Sequence, residues 1–178
     1  MITDETPPTQ IKEHWGGDIP WVTPTDISGE RDIFVTERQL TTSGLAAIRP
    51  LPPNSVLVTC IASIGKNAIL RHKGGCNQQI NAVVPYGENN AEFLYYLFES
   101  AKQYLLGNAG MTATSILSKR DFSDLQFRLP WLSEQTAISR IFSDMDVELA
   151  ALEARLAKTH ALKQGMKQEL LTGRVRLV

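Results

Sequence analysis

The stretch SEQTAISRIFSDMDVELAALEARLAKTHALKQGMKQELLT, residues 133–172, decides the fold class. It contains no proline, Ser133 is a favourable N-cap, and Gly173 follows it as a favourable helix terminator. The pattern predicts one helix of about 40 residues with a length of about 60 Å. The alternative is two shorter helices that are broken near His160 or Gly165.

One face of this predicted helix is apolar. Its apolar residues begin with a 4-3-4-3-4 spacing, which is the spacing of a heptad seam. The seam then meets Thr159 and Lys163, and apolar residues resume in a shifted phase at Leu162, Met166 and Leu170. A single helix cannot bury such a stripe against itself, so we expect it to project from the globular part and to dimerise with a partner helix. The predicted dimerisation residues are Ile138, Phe142, Met145, Leu149, Leu152, Leu156, Leu162, Met166 and Leu170.

The chain before this helix has a different character, with short apolar runs broken by proline and glycine. A run around Asp18–Pro24 predicts a proline-bounded edge strand, and Asn90 is the expected N-cap of a helix over residues 91–106. Further strands are predicted near residues 55–62, 68–70, 80–85 and 125–130. The predicted class is therefore α+β, with a small mixed α/β domain over residues 1–130 and a helical region over residues 131–178.

Composition excludes several classes of protein. The chain has 178 residues, of which 43% are hydrophobic, and no apolar run approaches the roughly 20 residues of a membrane helix. There is no leader-like N-terminus, and two cysteines make neither a disulfide framework nor a zinc site, so we expect reduced thiols in a cytoplasmic protein. No phosphate loop, dinucleotide fingerprint, nucleophile elbow or cluster of metal ligands occurs, so we expect no cofactor, no metal and no catalytic activity of its own.

Charge is unevenly distributed although its formal sum is only −1. Residues 1–37 carry eight acidic and two basic side chains, whereas residues 38–87 carry five basic side chains and no acidic one. Fifty residues without a carboxylate can support a positive face on a protein that is nearly neutral as a whole. Charge alone is also compatible with chance segregation on a mixed surface.

Two polar clusters have the chemistry of duplex recognition, because cations bind phosphates while amides and hydroxyls read base edges. One surrounds a predicted hairpin and the other follows a predicted loop, and either could instead satisfy backbone groups in turns. The three tryptophans are expected to pack in the core or at the domain junction rather than to stack on bases. The candidate DNA-binding residues are Ser63, Lys66, Asn67, Arg71, His72, Lys73, Gln78, Thr112, Thr114, Lys119 and Arg120.

Five blocks of the sequence, in order, resemble a known family. They are WGGDIPWVTPTDIS at 15–28, VLVTCIASIGK at 56–66, CNQQINAVVP at 76–85, LPWLSEQTAI at 129–138, and the ending from Leu162 with LKQGMKQELLTGRVRL. This order is similar to that of the specificity subunits of type I restriction-modification systems. The turn that usually precedes the first block is reduced here to TPPT at residues 6–9.

The resemblance implies a function. Such subunits usually carry two target-recognition domains and two helices that pack as an antiparallel coiled coil, and each domain reads one half of a split DNA target. The methylation and restriction subunits dock on this frame and perform the chemistry. With one domain and one helix, this chain resembles a half-length subunit, which is either a natural half or a truncated segment of a longer gene. We expect it to form a homodimer that binds double-stranded DNA.

Two other classes of protein remain open at this point. The chain could be a protein-interaction adaptor that uses the long helix and does not bind DNA specifically. It could also be the recognition end of a fused enzyme, although the tetrapeptide used by amino-methyltransferases is absent. Salt-sensitive binding to duplex DNA would separate DNA recognition from the adaptor.

Overall fold

The computed structural model describes residues 6–110 and 115–177. The chain divides into two compact units, residues 1–136 and residues 137–178. The elements in chain order are a short 3-10 turn at Lys12–His14, β1 Trp15–Val22, β2 Asp32–Ile33, β3 Arg38–Leu40, α1 Thr42–Ala46, β4 Ser55–Thr59, β5 Asn67–Leu70, β6 Gly75–Cys76, β7 Ile80–Val83, α2 Ala91–Ser100, α3 Lys102–Gly107, α4 Lys119–Asp124 and α5 Leu132–Leu171. Mixed sheets followed by one long helix confirm the predicted α+β class.

The strands form two small sheets. One has the order β3-β1-β6 and the other has the order β2-β5-β4-β7. β4 is antiparallel to both of its neighbours, and β2 joins β5 in parallel. All five residues of β4 are buried, as expected for the run SVLVT, whose valines suit a fully covered central strand.

The main core lies on one face of the four-stranded sheet and draws on both sheets. Leu57, Leu70 and Ala82 of the four-stranded sheet cluster there with Val22 of β1 and Cys76 of β6. On the other face, α2 packs against β4 and β5. The described part of unit 1 is therefore layered as sheet, sheet and helix around a continuous apolar interior.

The strand β1 differs from its prediction, because it lies in the middle of its sheet. Pro20 is tolerated in this central strand because β6 pairs only with Trp21 and Val22. Pro20 therefore lies beyond the end of the hydrogen-bonded ladder between β1 and β6. Gly17 allows β3 to approach closely on the other side, since a Cβ at this position would collide with the backbone of Leu40. The edge-strand prediction is thus wrong.

The predicted helix over residues 91–106 forms as two helices. Asn90 caps α2 as predicted, with its side-chain oxygen accepting a 2.8 Å hydrogen bond from the Phe93 amide. Ala101 interrupts the helical geometry between α2 and α3. The run over residues 125–130 contains no strand.

The long C-terminal helix forms without interruption. α5 has 40 residues, so neither His160 nor Gly165 breaks it. It begins at Leu132, so Ser133 lies inside the first turn and the prediction of Ser133 as the N-cap is wrong. The Trp131 carbonyl accepts hydrogen bonds from the amides of Glu134 and Gln135. Gly173 follows with a left-handed φ of 72°, the conformation expected of a terminating glycine. None of the helices within residues 6–110 and 115–177 is long and apolar enough to cross a membrane.

Candidate nucleic-acid interface

The turn between β4 and β5 holds two of the candidate residues at one end of the four-stranded sheet. The Thr59 amide donates a 2.8 Å hydrogen bond to the Lys66 carbonyl, and the Thr59 hydroxyl donates to the Ser63 carbonyl. Gly65 closes the turn with a φ of 85°, which a glycine adopts without strain. This geometry leaves Ser63 half-buried and Lys66 exposed.

Gln78 reaches the same end from the other side of β4. The Cys60 amide, directly after β4, donates a 2.9 Å hydrogen bond to the Gln79 carbonyl. The turn before β7 is closed by Asn77, whose side-chain oxygen accepts a 3.0 Å bond from the Gln79 amide. The Gln78 side chain lies exposed between these two fixed points.

The second cluster arrives at this end through a short backbone pairing. The Leu117 amide donates a 2.9 Å hydrogen bond to the Cys60 carbonyl, and Ile116 forms an isolated bridge with Ile61. Ser118 then caps α4, whose first two residues are the exposed Lys119 and Arg120. Thr112 and Thr114 lie outside the described residues.

Sequence reasoning missed one cation, Lys102 at the start of α3. Lys66 and Lys102 line one cleft of about 220 Å³ together with Glu99 of α2. No local signal connects these two lysines, because they are 36 residues apart in the chain. We call the exposed and half-buried polar groups at this end of the sheet the hairpin-end surface; they are Ser63, Lys66, Gln78, Lys102, Lys119 and Arg120.

Asn67 is next to Lys66 in sequence but has a different environment. It is 3% exposed, and its amide nitrogen donates a 3.1 Å hydrogen bond to Glu99. Asn67 and Asn81 both pair with Val58 in the sheet, and the side-chain oxygen of each asparagine has no hydrogen-bond partner. Burial on this face removes Asn67 from the exposed hairpin-end surface.

Arg71 is held by carboxylates of its own chain. Its guanidinium forms ion pairs with Asp32 of β2 at 2.6 Å and with Glu92 of α2 at 2.9 Å. Burial by itself would raise the pKa of Asp32, but hydrogen bonds from Arg31 and Arg71 lower that pKa below its usual value. Arg71 therefore joins two strands and a helix, and its cation is already neutralised locally.

His72 and Lys73 lie at the opposite end of β5 from Lys66. β5 has four residues, so the two ends are separated by roughly 13 Å along the strand. Both side chains are exposed, and the His72 ring contacts the exposed Phe34 ring edge to face, with the centroids 5.7 Å apart. The structure thus divides the first predicted cluster between two ends of one sheet.

The tryptophans and cysteines have mostly structural environments. Trp21 is buried, and the partly buried Trp15 packs against it edge to face at 5.9 Å, as predicted. Trp131 is 79% exposed, so the packing prediction is wrong for that residue. Cys60 and Cys76 are both buried and neither forms a disulfide, and burial raises the pKa of the Cys60 thiol to about 11, which keeps it protonated at neutral pH.

The acidic residues of the chain do not assemble a metal site within the described ranges. No group of three or more His, Cys, Asp or Glu side chains converges there to hold a metal ion. Asp26 instead accepts hydrogen bonds from the Thr23 amide at 2.8 Å and the Glu37 amide at 3.0 Å. Its carboxylate therefore stabilises the backbone of the segment between β1 and β3.

The apolar seam of α5 is exposed to solvent. Met145, Leu149, Leu152, Leu156, Leu162 and Met166 are between 52% and 60% exposed, and Phe142 is 44% exposed. Ile138 and Leu170, towards the two ends of the seam, are partly buried. A stripe of large aliphatic side chains that extends over most of a helix marks an interaction surface.

Comparison with known proteins identifies the family. The family model described as the type I restriction modification DNA specificity domain matches residues 2–160. The type I restriction enzyme MjaIX specificity subunit of Methanocaldococcus jannaschii is 33% identical over 147 residues, which cover 79% of this chain and 34% of that protein. The HindI specificity subunit of Haemophilus influenzae is 31% identical over 140 residues, covering 73% of this chain and 29% of that protein.

Solved structures show the same fold at lower sequence identity. A chain from a study of complex assembly and conformational transition of the type I R-M system matches with a TM-score of 0.71, 19% identity, and coverage of 94% of this chain and 40% of that chain. The HsdS subunit from Thermoanaerobacter tengcongensis matches with a TM-score of 0.65, 17% identity, and coverage of 94% and 41%. This chain therefore spans about a third of the length of these two curated relatives and about two fifths of these solved chains. Because the family model covers nearly all of its residues, the protein belongs to the family of type I restriction-modification DNA specificity domains.

Proposed function

We propose that this protein is a non-catalytic DNA-recognition component of a type I restriction-modification system. The unit formed by residues 1–136 binds duplex DNA and reads one part of a split target. The methylation and restriction subunits that dock on it perform the chemistry. Membership of the specificity-domain family supports this proposal, and the relatives are themselves named specificity subunits.

We assign the DNA contact to the hairpin-end surface. The observation that carries this assignment is the convergence of two clusters that are about 40 residues apart in sequence, through the pairing of residues 60–62 with residues 115–117. Exposed cations on this surface can bind phosphates, while Gln78 and Ser63 offer amide and hydroxyl groups to base edges. Arg71 and Asn67 have no part in this interface, because intramolecular partners and burial occupy them.

The test is duplex binding of the Lys66→Ala, Lys102→Ala double variant across a range of salt concentrations. Loss of two phosphate contacts is expected to weaken binding and to lower the slope of log affinity against log salt by about two. The matched control is the double variant His72→Ala, Lys73→Ala, which removes exposed polar groups from the opposite end of β5. Fluorescence anisotropy with a labelled duplex measures both variants.

The outcomes separate the alternatives. If only the control variant loses binding, the interface lies at the other end of the sheet. If the wild-type chain binds duplex DNA with no dependence on salt, or does not bind it, the adaptor reading replaces DNA recognition. Selection of bound sequences from a random duplex pool, with and without a methylation subunit, then identifies the target.

We further propose that the seam of α5 is covered by a second copy of the chain in antiparallel orientation. Residues 132–153 carry five acidic side chains and one basic one, whereas residues 154–177 carry six basic side chains and one acidic one. Antiparallel pairing places the acidic half against the basic half, and parallel pairing places like charges together.

The spacing of the seam specifies a symmetric register for this pair. With the two-fold axis at Ala154, the residues that continue the 4-3 spacing of the seam meet one another, whereas Leu162 lies outside this spacing and faces Asp146 of the second copy. The opposed pairs are Leu156 with Leu152, Thr159 with Leu149, Lys163 with Met145, Met166 with Phe142, and Leu170 with Ile138. Lys163, the charged member of this seam, lies opposite Met145, which is flanked by Asp144 and Asp146. Attraction between these charges favours this register over registers that are shifted along the helix.

A further inference from the structure

The start of α5 presents an exposed apolar surface that the DNA-recognition proposal does not use. Leu129, Trp131 and Leu132 are all exposed, Trp131 most of all at 79%. They line a cavity of about 480 Å³ together with Glu88 and Gln135. We call Leu129, Trp131 and Leu132 the tryptophan patch.

This patch is built on a fixed base. Gln135 is 2% exposed, and its amide nitrogen donates hydrogen bonds to the carbonyls of Glu88 at 3.2 Å and Pro130 at 2.9 Å. Its side-chain oxygen accepts a 3.0 Å bond from the Asn90 amide. The loop before α2 and the first turn of α5 are therefore locked together, and the exposure of Trp131 is not the result of a loose segment.

The residues after α5 have complementary chemistry. The helix ends at Leu171, and beyond Gly173 the Val175 amide donates a hydrogen bond to the Glu169 carbonyl at 3.2 Å. Arginine and aliphatic residues then alternate as Arg174, Val175, Arg176 and Leu177, and Leu177 is 85% exposed. Such a segment suits an apolar surface with an acidic border, and Glu88 and Glu134 are both exposed beside the tryptophan patch.

The register of the antiparallel pair brings these two features together. Leu170 lies opposite Ile138 of the second copy, which is about 9 Å along the helix from the first residue of α5. Residues 174–177 can span up to about 13 Å. Residues 174–177 of one copy therefore lie within reach of the tryptophan patch of the other.

We propose that residues 174–177 of each copy dock on the tryptophan patch of the second copy. Val175 and Leu177 cover Trp131 and Leu132, and Arg176 lies beside the carboxylates of Glu88 and Glu134. This inference rests on the antiparallel pairing proposed above. It adds a contact between the end of one helix and the compact unit of the other copy, which fixes the register of the pair at both ends.

Disulfide cross-linking of the full chain tests the contact and the pairing separately. The Leu132→Cys, Leu177→Cys double variant reports the tail contact, and the Leu149→Cys, Thr159→Cys double variant reports the centre of the seam. Each protein is oxidised mildly and run on a non-reducing gel, with the wild-type chain as the control for the buried Cys60 and Cys76. The four single-cysteine variants serve as controls for random collisions.

We expect covalent dimers from both double variants and from none of the single variants. A covalent dimer from the seam pair alone would overturn the tail contact and leave the pairing intact. Absence of a dimer from both pairs would overturn the pairing and, with it, the contact. Equal yields from the tail pair and its single variants would also overturn the contact, because they would show unspecific encounters.

Discussion

Arg71 shows at the scale of one residue how burial changes the meaning of a basic side chain. In the sequence it stands in a run of polar residues and predicts a phosphate contact. In the folded chain its guanidinium joins Asp32 and Glu92, and its Nη1 atom donates to the side-chain oxygen of Asn54 at 2.8 Å. The side chains of the ion pairs are between 16% and 30% exposed, so the charges are only partly screened by water.

We therefore predict that Arg71→Ala destabilises the protein. Removing the cation leaves the partly buried Glu92 carboxylate without this ion pair and leaves Asp32 paired with Arg31 alone, at a cost of about 1–3 kcal/mol, which is less than for a fully buried pair because water reaches these groups. Urea unfolding at neutral pH measures the difference from wild type. Lys66→Ala, at an exposed site, is the control and is expected to change the free energy of unfolding by less than about 0.5 kcal/mol.

The same variant has a defined pH dependence. The pKa of Asp32 is lowered in the folded protein, so its ion pairs contribute stability above its unfolded pKa of about 3.9, and this contribution is lost as the pH falls through the folded pKa. The difference in the free energy of unfolding between wild type and Arg71→Ala is therefore expected to be largest at neutral pH and to decrease below about pH 4. A gap that stays constant down to pH 3 would contradict this role of Asp32.

At the scale of an element, α5 is a helix with little stability of its own and with an exposed apolar stripe. Its helical hydrogen bonds are local, but packing of an apolar face supplies most of the stability of helices in proteins. Side chains more than half exposed along some 20 residues leave that contribution unrealised within one copy. A second helix on the seam would supply it.

We predict that Leu152→Asp abolishes pairing. The substitution places a carboxylate opposite Leu156 of the second copy, in the layer next to the two-fold axis. Because the dimer is symmetric, it would contain two such buried charges. Size-exclusion chromatography with light scattering is expected to give about twice 19.8 kDa for wild type and 19.8 kDa for the variant at tens of micromolar.

Val147→Asp provides the matched control for this prediction. Val147 is 71% exposed and lies on the side of α5 away from the seam. The same carboxylate there is expected to leave the mass at that of a pair. A monomeric wild-type chain, or equal loss of pairing in both variants, would contradict the proposed seam.

At the scale of the whole molecule, the proposed pairing would bring together two of the proposed DNA-recognition units. Linked binding sites bind a sufficiently long ligand more tightly than either site does alone, because the second contact becomes intramolecular. Two copies joined through α5 would thus act on DNA as one bivalent reader. Each copy has only one hairpin-end surface, so bivalency depends on the seam.

We predict that the affinity advantage of a long duplex over a short one depends on pairing. Wild type is expected to bind a duplex long enough for two units at least about tenfold more tightly than one that admits a single unit. The Leu152→Asp variant is expected to bind both duplexes with similar affinity. Anisotropy titrations at one fixed salt concentration give the two ratios, and identical ratios for wild type and variant would show that the units act independently.

Local sequence by itself determined α5, the cap at Asn90 and the terminating Gly173. These features depend on contacts within a few residues, namely periodicity, the absence of proline, and side chains that satisfy backbone groups of the same turn. The order of five sequence blocks likewise indicates the family without reference to the fold, and the family model confirms it.

Only the tertiary structure decided which polar residues remain at the surface. Asn67 and Lys66 are neighbours in the chain, yet the pairing of β5 with β4 and the packing of α2 bury the first and expose the second. Lys102 joins Lys66 from a helix 36 residues away, and Asp32 neutralises Arg71 from a strand 39 residues away. Burial and charge pairing are sums over contacts that are distant in sequence, and no local pattern encodes those sums.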